Sequence, residues 1–498
     1  MRTIDMHLAE LVKAVPGAVL EAGGRRGDPE VSSVECDSRL VTDGSVFVAI
    51  RGGQERDRHQ FVEDAVARGA AAVVVEDDDA PSGAAARIRV RNCRLALAQL
   101  GALVNGHPAT GLRTVGVTGT NGKTTTALMV RHILEAARIS CGYVGTLGAQ
   151  VGDDMEGLAN TTPEASDLQV VLRRMVEVGR SAVVLEVSSH ALALDRVAGI
   201  DFDAVVFTNL TRDHLDFHGS EAAYLEAKAR IFERLDGGGG ARAVVNLDDP
   251  VSSLLLERAA GRSTTFGRHA EAEVRLLEAV DTDSGTDITL HTTSGTVEVR
   301  SRLTGEFNCS NVMAAFACAH GLGIDREAIC LGLASLDSVP GRLEAIDEGQ
   351  EFHVLIDYAH TPAGLETVLR TAREVTRERL ICLFGCGGDR DAGKRPLMGQ
   401  VASHLADVVI LTSDNPRRES PEHIISEISA GLRCGREAMT YVDRQEAIFL
   451  AVELARAGDT VVIAGKGDES HQVFADRVVK FDDREVARRA LRSRLPRA

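Results

Sequence analysis

No apolar run in the sequence approaches the roughly 18 residues that a membrane-crossing helix needs. The opening stretch, MRTIDMHLAELVKAV, is interrupted by Asp5, His7, Glu10 and Lys13. A cytoplasmic protein with no membrane insertion is expected. Positive charge is also scarce: 56 Lys and Arg stand against 73 Asp and Glu, for a formal net charge of −17. That mean field repels polyanions, which argues against a general nucleic-acid or membrane-surface binder and leaves any phosphate ligand to be held by local donors. Cysteine pairs at metal spacing are missing too. The nine cysteines are scattered without a CxxC pair, and the nearest two, Cys382 and Cys386, have no matching pair elsewhere. Buried, reduced thiols are expected in place of a zinc site. No repeat or low-complexity tract stands out.

What is present is length and regular alternation. With 498 residues, 44% hydrophobic and 26% charged, the chain is globular and too long for one core, so about three domains are expected. Short β-branched runs recur between amphipathic stretches: 45–50, 71–75, 114–117, 182–187, 204–208, 243–245, 352–356, 380–384, 408–411 and 460–463. Continuous apolar strands alternating with helices indicate parallel sheets covered on both faces, an α/β fold. Two stretches read as joints, Asn105-Gly-His-Pro108 to Gly111 and Asp337-Ser-Val-Pro-Gly341. They divide the chain into 1–108, 109–338 and 339–498. The four glycines 237–240 lie between a helix and a strand and read as a surface loop.

The run from Thr114 to Thr126 reads as strand, glycine loop and helix, with Val130, Ile133, Leu134 and Ala137 forming one apolar stripe. A phosphate loop needs that context. Glycines let the backbone wrap phosphates, the helix N-terminus offers free N–H donors, Lys123 neutralises terminal phosphates and the Thr124 hydroxyl can ligate Mg²⁺. Val117 stands where the strict pattern has glycine, so the loop is a variant form. Alone it establishes nucleotide binding, since kinases, motors, switches and ligases share it.

Two further strands end in polar groups that would meet this loop. Glu186 closes the apolar run 182–187 and could hold the metal, while Asp213 and His214 follow the run 204–208. Lys228 lies in the helix-forming stretch 221–232, and its neighbours at three and four residues are Tyr224, Leu225, Ile231 and Phe232. Its stem therefore lies on the apolar stripe. Snorkelling is the bland explanation. The sharper one is a depressed pKa and a neutral amine able to capture CO₂ as a carbamate that ligates Mg²⁺.

At this point the residues resemble a known family, the Mur ligases. The resemblance covers nearly the whole chain through Thr118-Gly-Thr-Asn-Gly-Lys-Thr124, Asn160-Thr-Thr-Pro163, Glu186-Val-Ser-Ser-His190, Asn308 with Asn311, Asp357-Tyr-Ala-His-Thr-Pro362, Gly387-Gly-Asp-Arg-Asp391 and Asp414-Asn-Pro-Arg417. It implies three domains: an N-terminal UDP-sugar-binding domain, a central P-loop parallel-sheet domain and a C-terminal Rossmann-like domain. The implied activity is ATP-dependent addition of diaminopimelate to UDP-N-acetylmuramoyl-L-alanyl-D-glutamate, with Mg²⁺, in a monomer whose partners are small molecules. Gly119, Thr120, Asn121, Gly122, Lys123, Thr124 and Thr125 would cradle ATP, Asn308 and Asn311 would sit near adenine, and Arg342 and Asp357 would contact ATP from the hinge and third domain. Ser38, Gln54, Asn160, Thr161, Thr162, Ser188, Leu194 and Arg196 would take the muramoyl dipeptide. Lys123, Glu186, His214 and Lys228 would be catalytic, and Thr124, Glu186, His214 and carbamoylated Lys228 would ligate the metal. Arg390, Asp414, Asn415, Pro416, Arg417, Gly465 and Glu469 match the diaminopimelate-binding positions. An arginine such as Arg417 can grip the distal carboxylate that distinguishes diaminopimelate from lysine.

The resemblance departs at three places. Asp468 stands where relatives commonly have histidine, Gly53 replaces a usual histidine, and Leu194 occupies a position that is glutamine in some members. Two other readings stay open at this stage: a ligase for lysine or another amine, and a phosphate-loop switch whose nucleotide state controls a partner. Closure of the third domain over the central one, excluding water from an acyl phosphate, is a further expectation.

Overall fold

The structure, a computed structural model, describes residues 6–21, 28–52, 57–76, 85–235, 240–259, 262–282, 284–433 and 438–494. Gln54, Gly53 and most of the glycine run 237–240 lie outside the described residues. Each of the ten β-branched runs forms a strand at or within two residues of its expected place, from Ser45–Val48 to Thr460–Ala464. They assemble into three main sheets. A five-stranded sheet runs in the order Val19–Glu21, Ala86–Arg89, Ala72–Val75, Ser45–Val48, Ser33–Glu35, and is parallel except at its first edge. An eleven-stranded sheet spans 113–301, and a six-stranded sheet spans 344–441 with Thr460–Ala464 inserted between His353–Asp357 and Leu380–Phe384.

The central sheet shows why its strands read as unbroken apolar runs. Side chains alternate between faces. Val115, Val117, Val184 and Val206 pack under the helices Lys123–Ala136, Glu306–Gly321 and Arg326–Ala334. Val183, Leu185, Val205 and Val245 pack on the other side with Leu168, Leu172 and Met175 of the helix Ala165–Glu177. Both faces being covered, these strands are apolar through their interiors and turn polar at their ends, as at Thr118 and Glu186. Arg113–Thr118 lies between Ala182–Glu186 and Ala204–Phe207, all parallel, so the phosphate loop and both polar strand ends emerge at one sheet edge. Ligands of open α/β sheets gather at such carboxyl ends.

Several edges depart from the expectation of parallel sheets: besides Val19–Glu21, the strands Gly148–Gln150, Met155–Glu156 and Glu344–Ala345 pair antiparallel. Beyond Ser263–Gly267 the central sheet continues through Val274–Thr282, Gly285–Thr292 and Gly295–Ser301, the last two pairings antiparallel. Gly285–Thr292 and Gly295–Ser301 largely alternate buried and less buried residues, as one-sided sheets do, whereas Val274–Thr282 is exposed from Leu277 onward. Among the described residues no helix is long and apolar enough to cross a membrane.

Candidate active site

The loop between Thr118 and Lys123 depends on glycine at two points. Gly119 has φ +144°, and a Cβ there would lie 1.9 Å from Thr208 Oγ1; Gly122, at φ +81°, opens the helix Lys123–Ala136. Lys123 Nζ donates to the carbonyls of Gly119 (3.0 Å) and Thr120 (2.8 Å). Burial lowers its pKa. Thr124 Oγ1 donates to Glu186 Oε2 at 3.0 Å and accepts from Arg342 Nη2 at 3.2 Å, which brings the hinge arginine onto the loop.

Glu186 is fully buried, yet its carboxylate is saturated with donors. Besides Thr124 it accepts from Tyr143 Oη, the Thr146 amide (3.0 Å) and Thr146 Oγ1 (3.1 Å). A buried charge needs such partners. Tyr143 and Thr146 went unread in the sequence, because they come from a strand-and-turn with no motif of its own.

Lys228 sits behind the loop at 1% exposure, in the helix Glu221–Ala229, which tightens into a 3-10 turn at Arg230–Arg234. Its Nζ donates to Gly119 O at 2.7 Å and lies 4.6 Å from the Tyr224 ring centre. Burial, and then the neighbouring Lys123, push its pKa far below the usual lysine value. His214 follows Asp213 with φ +52°, and burial lowers its pKa to about 2, so at neutral pH its ring is an uncharged potential ligand.

Asp213 is a meeting point of two sheets. Its Oδ2 lies 3.3 Å from His214 Nε2 and 3.5 Å from His360 Nε2, and its Oδ1 lies 3.8 Å from Lys394 Nζ. Burial pushes this carboxyl up, but His360, His214 and Lys394 outweigh that and hold it well below the usual range. Arg212 pairs with Asp391 at 3.3 Å across the same gap. The contribution of His360 and Lys394 escaped the sequence reading, since a cross-domain contact leaves no local spacing.

Asn311 lies under the loop. A Cβ on Gly122 would meet its Oδ1 at 2.4 Å; it accepts from Thr126 Oγ1 at 3.2 Å and donates to Asn308 Oδ1 at 3.1 Å. Asp357 is fixed by the amides of Leu343 (2.8 Å) and Ala359 (2.7 Å), and burial raises its pKa. On another wall, Thr162 Oγ1 donates to Glu186 O and its carbonyl accepts from Arg196 at 3.0 Å; Thr146 and Thr161 hydroxyls stand 3.3 Å apart, with Asn160, Ser188 and Leu194 beside them.

The third wall comes from loops at the ends of Leu380–Phe384, Val408–Thr412 and Thr460–Ala464. Arg417, at φ +52°, donates Nη1 to Gly388 O at 2.8 Å; burial, then nearby Arg390, lowers its pKa. Glu469 Oε2 accepts from Asn415 Nδ2 and from Lys466 Nζ, both at 2.8 Å. Fully buried Lys466 also escaped the sequence reading, although it sits inside the motif 465–469. Asp414 lies against Gly465, where a Cβ would come 2.6 Å from Oδ2. All three walls enclose one cavity of about 710 Å³, lined by loop residues 120–125, Glu186, His214, Arg196, Arg390 and Arg417 among others. Gly119, Thr162, Lys228, Asn308 and Pro416 stand behind this lining, and Ser38 lies apart from it in the turn Ser38–Leu40 of the first sheet's domain.

Family models match in the same order: Mur ligase family, catalytic domain, over 30–106; Mur ligase middle domain over 117–319; and Mur ligase, glutamate ligase domain, over 341–467. A UDP-N-acetylmuramoyl-L-alanyl-D-glutamate--2,6-diaminopimelate ligase of Geobacillus kaustophilus is 43% identical, covering 98% of this chain and 100% of the relative. This chain belongs to the Mur ligase family. It is thus an ATP-dependent amide-bond ligase. The same-named enzyme of Geobacter metallireducens is 41% identical to this Mur ligase, with 98% of each chain covered. A solved structure of a ligase with that name shares 34% identity at TM-score 0.67, covering 98% and 99%. A MurF ligase from Thermotoga maritima in complex with ADP shares the fold, at 19% identity and TM-score 0.63, covering 93% and 97%.

Proposed function

We propose that this Mur ligase joins diaminopimelate to the γ-carboxylate of the D-glutamyl residue of UDP-N-acetylmuramoyl-L-alanyl-D-glutamate in peptidoglycan synthesis. One observation carries the reading: a chain 43% identical over its length to a ligase of that name also holds Arg390 and Arg417 together in one cavity with the phosphate loop. Two guanidiniums and the Glu469 carboxylate suit an amino acid bearing two carboxylates and two amines. The division near 108 and 338 assigns the nucleotide sugar to the first domain, with Ser38 and Gln54, ATP to the second and the amino acid to the third. The protein acts as a cytoplasmic monomer.

The substrate carboxylate oxygen attacks the γ-phosphorus of ATP, the bond to the β-phosphate oxygen breaks, and ADP leaves. The resulting acyl phosphate is attacked at carbon by the neutral amine of diaminopimelate. The C–N bond forms, phosphate departs, and the amine loses a proton. Lys123 and the loop amides balance charge on the transferring group. The donors at the sheet edge suit Mg²⁺: hydroxyl oxygen at Thr124, carboxylate at Glu186, uncharged imidazole at His214, and Lys228 as a carbamate. Bound there, Mg²⁺ would neutralise phosphate charge. Asp213, reached by His360 and Lys394, and the Arg212–Asp391 pair favour a closed arrangement that keeps water from the acyl phosphate.

The test is phosphate release with ATP, the dipeptide precursor and either diaminopimelate or L-lysine. Release requiring both the precursor and diaminopimelate is expected. Equal use of lysine would overturn the choice of amino acid, and steady release with ATP alone would point to a nucleotide switch.

A further inference from the structure

Arg390 and Arg417 lie on separate loops, and a grip on one amino acid needs their spacing held. Both loops carry strained backbone: Asp389, just before Arg390, and Arg417 itself have φ +52°. Non-glycine residues persist there only when their surroundings over-determine them. The loops meet closely. Gly388 N donates to Asn415 O at 2.9 Å, and a Cβ on Gly388 would lie 1.9 Å from Pro416 O.

Outside the cavity, a buried arginine fastens this junction from behind. Arg395, second residue of the helix Lys394–Leu405, is 1% exposed. Its guanidinium donates twice to Glu419, at 2.8 and 2.9 Å, once to Gly387 O at 3.2 Å, and also to Glu427. Glu419 Oε1 accepts in turn from the Asp389 amide at 2.5 Å. The Glu419 carboxylate thus ties the backbone next to Arg390 to the segment that carries Arg417, beside the Asp389–Arg418 pair at 3.0 Å, and Arg395 holds the Glu419 carboxylate in place. Geometry fixed from outside the contact shell is what sharp recognition requires.

We propose that Arg395 and Glu419 are positioning residues that set the spacing of Arg390 and Arg417, and through it the preference for an amino acid with a second carboxylate over lysine. This rests on the assignment of the amino-acid site made above. Glu427 supplies the contrast, because it pairs with Arg395 from the helix Pro421–Ser429 and not with the loop amide.

The experiment is steady-state kinetics of the full-length enzyme and its Glu419→Gln and Glu427→Gln variants with diaminopimelate and L-lysine, with thermal melting alongside. For Glu419→Gln, KM for diaminopimelate is expected to rise about ten- to a hundredfold, the scale of a lost hydrogen bond to a charged group. The kcat and the KM for ATP and precursor stay within about twofold, and the preference over lysine falls with the rise in KM. Glu427→Gln keeps the parental values. A similar rise in both variants, or a uniform loss of kcat with every substrate, would show a merely structural pair and overturn the proposal. If Glu419→Gln does not fold, Arg395→Lys decides: a folded enzyme with unaltered KM for diaminopimelate overturns it. A parent that ignores diaminopimelate removes the functional reading and this proposal together, whereas a parent that uses it beside an unaffected Glu419→Gln removes this proposal alone.

Discussion

Replacing Lys228 with alanine removes a side chain that is 1% exposed and bonded to Gly119 O at 2.7 Å. Two consequences separate cleanly. On stability, three buried methylenes are lost, at about 0.8 kcal/mol each, or roughly 2 kcal/mol in all. Removal of a desolvated amine beside Lys123 offsets part of that. The variant therefore folds, with a modest drop in melting temperature. On activity, the lowered pKa favours the uncharged amine, and the proposed role has it form an N–C bond to CO₂, lose a proton and become an anionic carbamate. Loss of that group is expected to lower kcat about 10²- to 10³-fold, the scale of one lost electrostatic contact to a transferring group. Phosphate release with all three substrates measures this, with acetate or formate titrated in to fill the vacated space and return part of the rate. Stripping CO₂ should slow the parent enzyme, and bicarbonate should restore it. Full activity in Lys228→Ala would remove the lysine from the mechanism, and a parent indifferent to CO₂ would refute the carbamate.

Arg444 and Asp483 form a fully buried pair at 2.8 and 2.7 Å, and Arg444 also donates to the carbonyls of Ser413 and Ala464, each one residue before a loop of the third wall. Arg444→Met leaves Asp483 without its cation and should cost about 3–5 kcal/mol in urea unfolding; a loss under about 1 kcal/mol would contradict the assigned burial. Asp468 offers a pH test: burial pushes its carboxyl up to about 6, against about 3.9 for an unfolded chain. The folded state then holds the proton more tightly, so stability is full below about pH 4 and falls by up to about 3 kcal/mol as the pH rises to about 6. Asp468→Asn should therefore gain on its parent in thermal melts at pH 7.5 compared with pH 4, and a difference independent of pH would refute the shift.

The sequence was most legible where one local constraint decides structure. Strands such as Ala182–Glu186 are apolar up to their last residue because helices cover both faces, and that pattern has few other causes. The strands from Val274 to Ser301 are covered on one side and bulged between Leu276 and Glu278, so no continuous run marked them. The site divides the same way. The phosphate loop is legible because its glycines, lysine and helix are adjacent in the chain, and Lys228 because a helix puts Tyr224 beside it. The carboxylates are read only halfway. Glu186 stands out as an acid ending an apolar strand and Asp213 as one in the loop that follows another, but what makes each tolerable in the interior comes from elsewhere: Tyr143 and Thr146 for one, His360 and Lys394 for the other. A buried charge shows in sequence as an anomaly without showing its remedy, since the remedy can be any donor the fold delivers. The same holds for Glu419. By composition it is one more surface acid beside Arg418, and only the return of the helix Lys394–Leu405 beneath the loop gives it Arg395 and the Asp389 amide to hold together. Groups that contact substrates can be found from motif spacing, whereas groups that hold those contacts in place become visible only once the third domain has folded.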